Sequence, residues 1–74
     1  MKLNGQMKQI TTKHAFDNMF ERGLIIAKVD GIFYLGYVDD HGLFIGLDGM
    51  SYRFQDLQEI YAPLNPNVIL QYDW

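Results

Sequence analysis

The sequence predicts an α+β, mainly β domain: a short N-terminal helix followed by a five-stranded, strongly bent antiparallel meander. Three observations predict it. Residues 24–54 alternate short apolar and aromatic runs with three reverse-turn signals, Asp30-Gly31, Asp39-Asp40-His41-Gly42 and Asp48-Gly49. The two Asp-Gly dipeptides supply the positive-φ pair of a two-residue type I′ hairpin, and the middle signal suits a four-residue turn. Residues 11–23 place apolar side chains at helical spacing. Near the C-terminus, Val68, Leu70, Tyr72 and Trp74 alternate with Ile69, Gln71 and Asp73, the pattern of a strand with one apolar face.

Residues 1–10 have no clean period and read as a frayed arm, with Leu3, Met7 and Ile10 able to cover an apolar edge. The helix is expected over 11–23. Thr11 or Thr12 caps it, Ala15, Phe16, Met19 and Phe20 form its apolar arc, and Gly23 ends it in a left-handed conformation. So short a helix must dock on the sheet to persist.

Residues 24–54 form four strands. A two-residue turn at Asp30-Gly31 fixes the register, setting Val29 opposite Ile32, Ala27 opposite Tyr34 and Ile25 opposite Gly36. Continuing through the other turns as read above, Val38 opposes Leu43, Gly36 opposes Ile45, and Ile45 opposes Tyr52. One face is then uniformly apolar, and the other mixes Leu24, Ile26, Lys28, Phe33, Leu35, Tyr37, Phe44, Asp48, Ser51 and Arg53. A one-sided sheet would alternate more cleanly, so the sheet should curl, with the helix over part of this second face. Gly36 and Gly46 are the cheapest places to bend. Residues 55–64 read as one turn of helix or 3₁₀ limited by Pro63, with Asp56 and Glu59 as its capping pair and Ile60 and Tyr61 open to an extended form, and residues 67–74 as the closing strand.

The chain has 74 residues, 49% apolar and 15% aromatic. This is one domain, small enough to bury only about 60% of its unfolded surface, so a partner or a homo-oligomer would add useful burial. With no cysteine, disulfides and thiolate metal sites are excluded. No apolar run reaches the roughly 18 residues of a membrane span, and the first residues lack a signal-peptide core; a cytoplasmic protein without membrane contact is the expectation. The net charge is −3, and because Lys2, Lys8 and Lys13 all lie in the first 13 residues, the remainder carries three basic against nine acidic groups, or −6. Such a body repels phosphate and disfavours nucleic acid.

No catalytic or metal motif stands out. Ser51 lacks a neighbouring base and belongs to a turn, and Asp39-Asp40-His41 crowds its polar groups into one hairpin tip with glycine in the wrong place for a calcium loop. The expectation is no enzyme, no metal and no cofactor. The candidate site is the mixed face: Lys28, Phe33, Tyr37, Phe44 and Arg53 place aromatic rings between cations, as in protein-anchoring or base-stacking surfaces. Tyr72 and Trp74 make a second aromatic patch.

In its order of helix, meander, helical turn and last strand, and in Val29-Asp30-Gly31-Ile32 followed by Gly36, with Tyr52-Arg53-Phe54 where the bacterial RNA-chaperone branch has Tyr-Lys-His, the chain resembles the Sm-like (Lsm) small barrels. SH3-like barrels share much of the pattern. The Sm-like resemblance implies a ring-forming RNA binder with Asp40 and Arg53 near the nucleotide. The acidic body and Phe54 in the histidine position favour another use of the same fold, a non-catalytic module that docks on a protein partner. An inhibitor of phage or mobile-element type acting on a host protein would suit this composition.

Overall fold

The computed structural model describes residues 7–63. Six strands form one antiparallel sheet: β1 (Met7–Gln9), β2 (Ile25–Val29), β3 (Ile32–Val38), β4 (Leu43–Gly46), β5 (Ser51–Arg53) and β6 (Glu59–Pro63). A helix, α1 (Lys13–Asp17), follows β1, and a 3₁₀ turn at Phe54–Asp56 links β5 to β6. The strand order is β1-β6-β2-β3-β4-β5. No ladder joins β1 to β5 among the described residues, so the small barrel-like sheet is not closed. The architecture is mainly β, as expected, but the described residues alone form six strands rather than five. The expected closing strand over 67–74 lies outside the described residues.

The first hairpin follows the sequence closely. Asp30 and Gly31 both have positive φ, 51° and 80°, and the turn pairs Val29 with Ile32, Ala27 with Tyr34 and Ile25 with Gly36. Gln58 secures it from outside, its side-chain oxygen accepting from the Gly31 amide at 2.8 Å.

The next two hairpins depart from expectation, each by one residue. Asp39 donates to the Leu43 carbonyl at 2.9 Å, and the Gly42 amide closes a turn onto Asp39 at 3.2 Å. Gly46 donates to Met50, and Gly49 closes back onto Gly46, both at 2.9 Å. Gly42 and Gly49 have φ of 75° and 90°. Both connections are therefore three-residue loops ending in a left-handed glycine. An aspartate oxygen braces each one: Asp39 accepts from His41 and Leu43, and Asp48 accepts from Met50.

The shift inverts β4 alone. Gly36 pairs with Gly46, Tyr37 with Ile45 and Val38 with Phe44, and Phe44 pairs with Tyr52. Because side chains alternate with period two, Phe44 moves to the core face and Ile45 to the other. The uniformly apolar face predicted to hold Ile45 instead holds Phe44, which is 0% exposed among Ile10, Phe16, Ile25, Ala27, Val38, Ile60 and Ala62.

The helix is corrected in length, position and docking. Thr12 caps it, its hydroxyl accepting from the Ala15 amide at 3.1 Å, but it ends at Asp17 and is preceded by a strand. Turns carry the chain from there to Gly23, which is left-handed at φ 99° without being the helix cap. Phe16 is fully buried and packs at a tilt against Phe54, with ring centres 5.3 Å apart. The helix thus covers the core face and leaves Phe33 and Tyr37 to the other side of the sheet.

Of the arm expected over 1–10, residues 1–6 lie outside the described residues and Met7–Gln9 forms β1, and the helical turn expected over 55–64 contracts to Phe54–Asp56. Glu59–Pro63 is a strand inserted between β1 and β2. Asp56 pairs with Arg53 at 3.0 Å rather than capping with Glu59. Ile60 and Ala62 face the core, while Glu59 and Tyr61 face outward.

The inverted strand makes a measurable distinction. Phe44→Ala should cost about 3–5 kcal/mol, comparable to the whole stability of so small a domain, and abolish a cooperative urea transition. Tyr37→Ala on the other face should cost less than about 1 kcal/mol; the reverse ranking would contradict this register.

Candidate functional site

The predicted site residues do not converge. Lys28 and Phe33 are paired across β2 and β3, and Tyr37 lies on the same face toward the other end of β3. Phe44 is enclosed on the opposite face and offers no surface. Arg53 pairs across to Leu43 at the far end of the sheet from Lys28, with its guanidinium on Asp56. Tyr72 and Trp74 lie outside the described residues.

Around Lys28 the polar groups satisfy one another. Its ammonium lies 3.1 Å from Glu59 and 5.5 Å from the Phe33 ring centre. The Tyr61 hydroxyl donates to the other Glu59 oxygen, and the Phe33 and Tyr61 rings are 6.3 Å apart. Hydrogen bonds from Tyr61 and then Lys28 hold the Glu59 carboxyl below its usual range against the opposing effect of burial. The same bond to Glu59, with burial, raises the Tyr61 phenol. These groups brace β2 against β6, and met partners leave little for a ligand.

At the other end of this face the situation differs. Phe20, 42% exposed, and Tyr37, 43% exposed, border a groove of about 480 Å³ together with Leu24, Gly23 and Val38. Its acidic rim is Glu21, Asp39 and Asp40. The early end of α1 creates the groove: one more helical turn would have carried Phe20 along the buried arc with Phe16. The positive φ of Glu21, 62°, and of Gly23 turns the chain toward Leu24 and β2. Sequence reasoning grouped Phe20 with the core and missed it as a surface residue, although Gly23 marked the bend.

A second exposed apolar group, Ile32, Leu47 and Met50, sits at the turn end of the sheet, and the Tyr34 and Tyr52 rings lie tilted with centres 6.1 Å apart. Burial, followed by the Asp48 carboxylate, raises the Tyr52 phenol. Among the described residues no cluster of His, Asp and Glu could hold a metal ion, and no helix is long and apolar enough to cross a membrane. No family model matches this chain, and no curated protein or solved structure does either.

A carboxyl whose pKa falls on folding stabilises the fold above its unfolded pKa and loses that contribution as pH drops through the folded one. The melting temperature should therefore fall between about pH 5 and pH 3, and Glu59→Gln should flatten that part of the profile. An equally steep decline in the variant would show that Glu59 is not responsible.

Proposed function

We propose that this protein is a non-catalytic interaction module that docks on another protein through the groove between Phe20, Leu24 and Tyr37. The observation that carries the reading is a pair of half-exposed aromatic rings flanking an apolar hollow. Rings of this kind bury large area at low entropic cost and serve as anchors at protein interfaces. An inhibitor that occludes a host protein would use the same surface.

The Sm-like RNA ring receives less support. Arg53 is engaged by Asp56, Lys28 by Glu59, and Asp40 stands on an acidic rim, an arrangement that repels phosphate.

Titration with single-stranded RNA and with protein partners recovered by cross-linking separates the two. Docking predicts that Tyr37→Ala weakens partner binding at least about tenfold, with the fold intact and modest salt dependence. An RNA affinity that falls steeply with salt and collapses on Arg53→Ala would replace docking by the RNA reading.

A further inference from the structure

We infer that the occupant of the groove is a cationic protein segment, seating one apolar or aromatic side chain among Phe20, Leu24 and Tyr37 and laying lysine or arginine side chains over Glu21 and Asp40. This rests on the docking reading above and adds the chemistry of the partner.

The charges around the hollow divide into those already satisfied and those still available. Adjoining the groove, and sharing Phe20, Asp39 and Asp40 with it, is a hollow of about 290 Å³ that also touches Lys13, Asp17, His41 and Gly42. Asp39 is occupied by the amides of its own turn, at 2.9 Å each. Asp17 is held by Lys13, whose ammonium also reaches the Gly42 carbonyl at 3.4 Å. Among the described residues Asp40 has only the His41 ring at 3.5 Å, and its side chain is 68% exposed. Glu21 is exposed and makes no ion pair or side-chain hydrogen bond among the described residues.

Two carboxylates thus stand ready beside an apolar seat, and among the described residues no lysine or arginine lines the larger groove. The shared wall, Phe20, places the apolar hollow and the acidic one next to each other. A segment with an apolar anchor and flanking cations meets both. The chain's net charge of −3 adds a weak longer-range attraction for such a segment. The same field opposes a nucleic acid or an anionic lipid surface.

The test uses the full chain and short synthetic peptides sharing a central Trp or Leu, flanked by Lys/Arg, by Ser/Gln or by Asp/Glu. Affinity is read by fluorescence anisotropy, and location by NMR shifts of residues 20–24 and 37–40. The cationic series should bind about tenfold more tightly than the neutral one at low salt, the advantage shrinking as salt rises. Tyr37→Ala should remove binding of every series. Glu21→Lys with Asp40→Lys, both exposed and harmless to folding, should reverse the order. Binding that ignores the flanks yet depends on Tyr37 would overturn the cationic partner and leave docking standing. Peptides that perturb none of these residues would remove both. Self-association that Tyr37→Ala abolishes would make a second copy the occupant and equally overturn the inference.

Discussion

The arrangement of this small sheet depends on one close approach, the Phe44 ring against the bare backbone of Gly36. A Cβ at Gly36 would stand 2.2 Å from the Ile45 carbonyl oxygen and 2.7 Å from the Phe44 ring, so only glycine lets β3 and β4 come together in this register. Phe44 then completes the core under α1 with Phe16, Ile25 and Val38. Sliding β4 by one residue would expose Phe44 and bury Ile45 on the crowded side. Packing holds the pairing as firmly as the turns do.

Legibility in the sequence followed how local the determinant was. The Asp30-Gly31 hairpin was readable to the level of individual pairs, because a two-residue loop permits one register. Asp48-Gly49 carries the same two letters but uses only its glycine in the left-handed region, following a turn that starts at Gly46. That dipeptide is common to both loop lengths, and the choice between them was made by where Phe44 fits. Strand β6 showed only as a possible extension at Ile60 and Tyr61, for a different reason. Pro63 and the Asp56/Glu59 spacing resembled a helix signal, whereas Glu59–Pro63 owes its extended form to β1 and β2 on either side. Of the site, Tyr37 and Leu24 were legible as sharing one face, but their neighbour Phe20 was not, since a break in a helix after Asp17 leaves a weak mark among residues that could have continued it.

Electrostatics divide the outward face into two regions with different roles. Lys28, Glu59 and Tyr61 complete one another's hydrogen bonds in a half-buried setting, which suits a brace between β2 and β6. No buried side-chain nitrogen or oxygen lacks a partner among the described residues. Glu21 and Asp40, by contrast, remain at the surface beside apolar rings. Polar groups that need no further partner support the fold, and those left available are the ones the proposed partner would meet.

The placement of β6 has a consequence for the order of assembly. Strands β2 to β5 zip sequentially through short loops, each closing at small entropic cost, whereas β6 must return across the whole meander to reach β2. During synthesis, the second edge of β2 stays bare until residues 59–63 have left the ribosome. Ile25, Ile26 and Ala27, wholly hidden in the finished protein, are then a sticky ribbon on a half-made sheet, and the interval before β6 arrives is when this chain is most exposed to aggregation.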